Sequence, residues 1–315
     1  MSNTFKPIGL NQIKIYPISE RKSKVSHTNF AKIWQKGATF KDFLENLPDI
    51  LAGSHIKKVI SSISTAFKDE KTIVLAMGAH VIKVGLNPVV IDLMERGIIT
   101  AVAMNGAGII HDLEIALVGH TSEDVAASIE NGSFGMTHET CEFLNEAIHR
   151  AGQKSIGLGE AVGMAIIEKK LPYTEQSILA AGIRLGIPVT VHVAIGTDTI
   201  HMHPGFDARE TGEATHRDFR TFASIIATLE RGVYLNVGSA VILPEVFLKA
   251  VTLVRNLGNN IENFTTVNMD FIRQYRPLTN VVNRPTTKGG QGFNLTGHHE
   301  IMLPLIAAGI IDQIG

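Results

Sequence analysis

Apolar positions fall into two kinds of run that alternate along the chain. Between Phe40 and Leu51 they recur as Phe40, Phe43, Leu44, Leu47, Ile50 and Leu51, the three-and-four spacing of one helical face. From Ile73 to Met77 they are continuous and stop at Gly78, as in a short strand buried on both faces. Asn87 and Pro88 then open a helical stretch that runs to Gly97. Proline suits the first helical turn, where its missing N–H would have no partner. Ile98 to Met104 is the next strand, ending in Asn105-Gly106-Ala107-Gly108, and a helical segment follows from about His111 to Val118. The alternation returns later. A helix closes at Gly182 to Gly186, Ile187 to Val193 reads as a strand, and Gly196-Thr197-Asp198 ends it. Phe219 to Glu230 is helical, Gly232 to Val237 is a strand ending in Gly238-Ser239-Ala240, and a helix follows from Pro244. Phe264 to Asp270 is a further strand.

Apolar strands alternating with amphipathic helices predict an α/β fold: a doubly wound, mainly parallel sheet with helices on both faces, Rossmann-like in outline. No internal repeat or linker divides the chain, so residues 31–315 are expected to form a single domain behind an N-terminal arm, residues 1–30. The arm carries Lys6, Lys14, Arg21, Lys22 and Lys24 against Glu20. It reads as a solvated segment, with packing on a neighbouring subunit as the alternative.

Composition narrows the picture. Of 315 residues, 44% are hydrophobic and 19% charged, below the roughly 25% charged typical of soluble domains. Surface hidden in a partner is therefore expected, with self-assembly the default. A net charge of −1 argues against broad electrostatic binding of nucleic acid and leaves room for a small anion site. The one cysteine, Cys141, has no internal partner and lies in a helical stretch, so it reads as a buried structural thiol of a protein from the reducing cytoplasm. No secretory leader is evident in the first residues, and no uninterrupted apolar run reaches the roughly 18 residues of a membrane span.

In parallel α/β sheets ligands bind beyond the carboxyl ends of the strands. Four such ends carry small residues: Gly78-Ala79-His80, Asn105-Gly106-Ala107-Gly108, Gly196-Thr197-Asp198 and Gly238-Ser239-Ala240. Small residues let backbone N–H groups approach a phosphate, and a helix N-terminus adds a favourable dipole. Their order is not the G-x-G-x-x-G fingerprint, so the standard dinucleotide-binding Rossmann domain is not expected.

The chain has 13 histidines. His192, His201 and His203 lie close in sequence, and His201 and His203 would face one side of an extended segment. With Asp198 or Asp207 they could bind zinc or iron, although the fuller ligand spacing of known metal motifs is missing and no metal site is assigned. The bland alternative has them bonding loop backbone. His111 follows the Gly106 turn and could exchange protons near neutral pH. Asp112 beside it could instead stabilise a helix end. His298-His299 could place one ring at a ligand. Arg284 to Gly292 is a polar, Gly-rich loop, and its Lys288 could be an imine-forming amine or an ordinary solvated charge.

These motifs, in this order over residues 70–312, resemble the deoxyhypusine synthase family. TIVLAMGAHVIKVGLNPVVIDLMERGIITAVAMNGAGIIHD looks like that family's first core strand and its T-A-G-G-V-E-E-D-like turn. GIPVTVHVAIGTDTIHMH looks like its I-P-V…T-D-G-S segment, and VNRPTTKGGQGFNLTGHHEIMLPLIAAG stands where it has A-R-P-D-E-A-V-S-W-G-K, A-D-A-S and F-P-L. The resemblance implies an NAD-binding homotetramer with sites between subunits, spermidine oxidation, and aminobutyl transfer through a lysine imine to a translation factor. It implies NAD contacts at Gly78, Ala79, Asn105, Gly106, Ala107, Gly108, Thr197, Asp198, Gly238 and Ser239, with Asp112 and His299 as further cofactor candidates. His111 matches a family cofactor position too, but stands where the family has an acidic residue, and Phe293 falls where the family has the imine lysine. The family's late active-site histidine falls in Leu243-Pro244-Glu245.

The sequence therefore predicts an NAD-dependent enzyme of transferase or oxidoreductase type acting on an amine or small polar metabolite, with His111, His201, His203, Lys288 and His298 as catalytic candidates. It is not expected to be a true deoxyhypusine synthase. The alternatives are a metal-dependent hydrolase or lyase using His192, His201 and His203, and a nucleotide-binding protein without chemistry.

Overall fold

Strand order decides where a ligand can bind in a sheet of this kind. The computed structural model describes residues 5–315. Its six strands are β1 (Ile73–Met77), β2 (Ala101–Asn105), β3 (Val189–His192), β4 (Val233–Val237), β5 (Thr265–Asp270) and β6 (Gln291–Thr296). All pair in parallel, in the order β3-β2-β1-β4-β5-β6. That is the 3-2-1-4-5-6 order of the dinucleotide-binding sheet, in which strand order reverses between β1 and β4. The missing glycine fingerprint was thus a poor guide to architecture, because it reports the chemistry of one turn and not the order of strands.

The helices before β3 are α1 (Phe40–Asn46), α2 (Leu51–Lys68), α3 (His80–Lys83), α4 (Asn87–Glu95), α5 (Gly106–Val118), α6 (Val125–Ile129), α7 (His138–Lys154), α8 (Leu158–Glu168) and α9 (Ile178–Leu185). After it come α10 (Ala208–Ile226), α11 (Ile242–Asn256), the single turn α12 (Tyr275–Pro277) and α13 (His299–Ile314). Within β1, Ile73, Leu75 and Met77 enter a core shared with α2, α4, α5, α8 and α13, while Val74 and Ala76 enter a second core shared with α10 and α11. Covering both faces explains why the strand sequences are continuously apolar.

Pro48 splits the helical stripe read from Phe40 to Leu51. The residue before a proline is pushed out of the helical region, and Leu47 accordingly has φ −60° and ψ 147°. The C-terminal Gly-rich loop also resolves differently. Leu278–Asn283 forms a π-helical turn, and Gln291 begins β6. Gly292 is needed there because a Cβ would lie 2.1 Å from the Val282 carbonyl oxygen.

The outer edge of β3 does not present a free backbone. Asp218 of α10 accepts from Val191 N at 2.9 Å and from Gly159 N at 3.0 Å, and Thr215 donates to Val191 O at 2.8 Å. One buried carboxylate therefore ties the start of α8 to the edge strand. Burial pushes its pKa up to about 7. Cys141 is buried in α7. Residues 5–39 hold two short 3-10 turns and are exposed almost throughout, including Phe5, Ile8, Ile15, Ile18 and Ile33. No helix among the described residues is long and apolar enough to cross a membrane.

Candidate active site

The carboxyl ends of β2 and β3 enclose a cavity of about 210 Å³. Ala107, His111, Thr197 and Asp198 line it, as do Lys83, Glu114 and Glu123. Asn105 begins the construction: its side-chain oxygen accepts from Gly108 N at 3.0 Å and so caps α5. Gly106 opens that helix with no side chain because Asp198 occupies the space. A Cβ at Gly106 would lie 1.9 Å from Asp198 Oδ2. Burial raises the pKa of the Asp198 carboxyl from its ordinary value. Gly108 likewise packs on Met104, 3.1 Å from a would-be Cβ.

His111 is tethered on one side only. Its Nδ1 lies 2.6 Å from Thr121 Oγ1, and the Thr121 hydroxyl donates to Glu114 Oε2. Glu114 is also 3.7 Å from His111 Nδ1. Burial raises the Glu114 pKa, but the bonds from His111 and Thr121 outweigh it and hold the carboxyl below its usual range. The cavity thus combines one imidazole and three carboxyl groups with a single lysine, Lys83.

Four other cofactor candidates gather where strand order reverses. Gly78 N donates to Val237 O at 2.9 Å, and a Cβ on Gly78 would meet Gly238 O at 2.2 Å. Gly238 has φ +67°, which favours glycine, and His299 packs beneath it. Ser239 Oγ accepts from Leu243 N at 3.2 Å, inside the first turn of α11. Ala79 begins α3. Much of the small-residue signal in these turns therefore reflects close backbone packing.

His299 is fully buried, so it supports the Gly238 turn from behind and cannot line an open site. Its Nε2 donates to Met269 O at 3.3 Å, its Nδ1 has no partner, and burial lowers its pKa. His298, by contrast, is exposed and lies parallel to Phe271 at 6.3 Å.

Three further expectations are corrected. Lys288 lies before the amino end of β6 and pairs at 3.2 Å with Glu262, which precedes β5, so it is at the edge of the sheet opposite the cavity. Asp112 is wholly buried and caps α9 instead of meeting a ligand. Its oxygens accept from Ser177 Oγ at 2.5 Å, Ile178 N at 2.8 Å, Leu179 N at 3.1 Å and Asn87 Nδ2 at 3.1 Å, while burial raises its pKa to about 6. The histidine trio does not assemble. Thr199–Met202 is a 3-10 turn and not an extended segment, so a two-residue spacing no longer puts His201 and His203 on one side.

Each of the three has its own task. His201 Nδ1 accepts from Gly196 N at 3.0 Å and Asp198 N at 3.1 Å, which shapes the loop bearing Asp198. His203 Nδ1 meets Asn145 Nδ2 at 3.1 Å and Gly205 N at 3.2 Å. His192 is buried against Phe222 with its pKa driven down to about 3 by burial. Among the described residues no three His, Cys, Asp or Glu side chains converge to hold a metal ion. Sequence reasoning missed Thr121, Glu114, Glu123 and Lys83. The spacing of His111 and Glu114, three apart on a helix, was the available signal.

This fold and cavity place the chain among Rossmann-like α/β proteins, a class that includes NAD-dependent enzymes. No protein-family model and no curated protein sequence matches it. Solved structures do. A provisionally assigned LOR/SDH protein from Methanococcus maripaludis S2 superposes with a TM-score of 0.52 at 16% identity, covering 84% of this chain and 71% of that one. AgrE in complex with ornithine and NAD+ gives 0.51 at 14%, covering 84% of this chain and 34% of AgrE. A provisionally assigned deoxyhypusine synthase from Entamoeba histolytica gives 0.52 at 12%, over 90% and 96% of the two chains. The chain thus spans about a third of the length of AgrE. At these identities the likeness establishes the fold.

Proposed function

We propose that the protein is an NAD-dependent enzyme of the deoxyhypusine-synthase-like group that acts on an amine or other small polar metabolite and is not itself a deoxyhypusine synthase. One observation carries this reading: His111 faces a small acidic cavity at the carboxyl ends of β2 and β3. Asp198, Glu114 and Glu123 suit a cationic amine. His111 is the group that takes a proton from the substrate. AgrE was crystallised in a ternary complex with ornithine, an amine-bearing ligand, and NAD+.

The α5 N-terminus does not fit a pyrophosphate, because the Asp198 carboxyl already stands against Gly106. The reversal point fits better. There α11, 15 residues long, follows Val241, whose side chain does not cap it, and Ser239 takes the Leu243 N–H of its first turn, beside Ala79 and Gly238. Those residues would hold NAD, which supplies a hydride acceptor when bound. Transfer through a lysine imine has no support, since Phe293 is buried in β6 and Lys288 lies at the far edge. Exposed apolar side chains on the arm, and Phe271, Ile272 and Tyr275 beyond β5, support self-association as a homo-oligomer, a tetramer in the family pattern.

The test is calorimetric titration with NAD, followed by NADH absorbance with diamines, basic amino acids and small hydroxy compounds. Saturable NAD binding and turnover of one class are expected. His111→Asn should keep the NAD affinity and lower kcat by about 10²- to 10⁴-fold. Absence of NAD binding would remove the reading, and binding without turnover would leave a non-catalytic nucleotide-binding protein.

A further inference from the structure

The Thr121 hydroxyl has one proton to give. Glu114 is held below the usual carboxylate range, so it is ionised at neutral pH and can only accept. Thr121 donates to it, and Thr121 Oγ1 must then accept from its other close partner, His111 Nδ1, at 2.6 Å. That partner must therefore carry a hydrogen. We propose that Thr121 and Glu114 are positioning residues that lock His111 as the Nδ1–H tautomer, leaving Nε2 as the unprotonated acceptor offered to the cavity. The proposal deepens the function given above by assigning the atom that takes the proton, and it rests on that reading for its catalytic meaning.

The arrangement separates the two nitrogens by role. Nδ1 has its partner within the protein, and no side chain among the described residues bonds Nε2. An isolated histidine side chain prefers the opposite tautomer, with hydrogen on Nε2, so the relay works against the intrinsic preference. When Nε2 accepts a substrate proton, the resulting cation lies 3.7 Å from Glu114, and its charge is balanced without any covalent change in the protein. Glu114 is three residues after His111 on α5, and Thr140 of α7 also reaches Glu114 at 3.5 Å, which fixes the carboxylate from a second helix.

The relay predicts that two substitutions invert the tautomer and a third keeps it. In Thr121→Val no acceptor remains at Nδ1, and His111 reverts toward Nε2–H. In Glu114→Ala no acceptor remains for the Thr121 hydrogen, Thr121 turns it toward Nδ1, and the tautomer inverts. Thr121→Ser keeps the hydroxyl and keeps Nδ1–H. The experiment is a long-range nitrogen–proton correlation spectrum of histidine-labelled full-length protein without ligand at pH 8, with the His111 signals assigned by their loss in His111→Asn. Nδ1–H in wild type and Thr121→Ser, with Nε2–H in Thr121→Val and Glu114→Ala, is the expected pattern. Nε2–H in wild type, or an unchanged tautomer in Glu114→Ala, overturns the proposal. If Thr121→Val does not fold, wild type and Glu114→Ala decide. The readout needs neither NAD nor turnover, so the relay can stand while NAD binding fails, and the reverse.

Discussion

Gly106 discriminates between two reasons for a glycine at a strand end. If it exists to admit a phosphate, any side chain should harm ligand binding whatever surrounds it. If it exists because Asp198 fills the space, the harm should depend on Asp198. In Gly106→Ala the new Cβ would stand 1.9 Å from Asp198 Oδ2 and 2.7 Å from its carboxyl carbon, so the carboxyl must move. Overpacking of this kind costs about 1–3 kcal/mol. Alanine also forms helix better than glycine, by up to about 1 kcal/mol in a helix interior and less at this first turn. Gly106→Ala should therefore destabilise the protein by about 1–2 kcal/mol in wild type. In an Asp198→Ala background the obstructing atoms are gone, and the same change should be neutral or slightly stabilising. The coupling is read as the difference between the two effects in urea denaturation followed by circular dichroism, with an expected value of about 1–3 kcal/mol, as found for residues in contact. Equal costs in both backgrounds would refute the packing explanation. Loss of NAD binding in the well-folded double variant would return the turn to the phosphate reading.

Burial raises Asp218 from 3.8 to about 7, so the folded protein holds that proton to higher pH than the unfolded chain does. Its contribution is fully present below pH 3.8 and is lost as pH rises toward about 7, a span worth up to about 4 kcal/mol at about 1.4 kcal/mol per pH unit. His192 acts in the opposite sense: its lowered pKa of about 3 contributes stability above 6.5 that is lost as pH falls. Asp218→Asn should thus make stability fall more steeply on acidification from pH 7 to 4, and a wild-type slope in denaturant midpoints would contradict the buried-carboxyl account. Lys288→Ala should leave NAD affinity unchanged and cost at most about 1 kcal/mol, since its pairing with Glu262 is largely exposed. A borohydride-trapped adduct in wild type that vanishes in Lys288→Ala would restore the lysine-transfer reading.

The sheet was legible because its strands are buried on both faces and announce themselves as short apolar runs. Five of the six were located this way, and β6 was not. Gln291, Gly292, Asn294 and Thr296 give it a polar, glycine-bearing sequence, and its neighbour supplies the reason: Asn294 and Asn268 bond across the sheet at 2.8 Å, as do Asn268 and Asn236. Polar residues in a strand look like loop until their partners on the neighbouring strands are known. The site was partly legible for a related reason. His111, Asp198 and the Gly106 turn could be singled out by type, but Thr121 is an ordinary threonine in the sequence. Only the fold of the segment after Gly119 returns it to α5. Lys288 misled because closeness in sequence to an expected lysine position carries no information about which end of a strand it occupies.

The two places described at the carboxyl ends are joined by α3, a helix of only four residues. His80 at its start packs 5.4 Å from the His299 ring and 5.9 Å from Phe271, on the side where strand order reverses. Lys83 at its end lines the His111 cavity. Residues three apart on a helix share a face, so one short element presents a ring toward the first place and an ammonium toward the second. A dinucleotide held beside α11 and a substrate held at His111 would both border α3, and the positive charge of Lys83 is the one basic side chain in an otherwise acidic cavity. That combination favours a substrate that carries an anionic group as well as an amine, as an amino acid does. The preference follows from the charges that line the cavity, independently of any family resemblance, and it makes basic amino acids the first compounds to compare with simple diamines in the turnover assay.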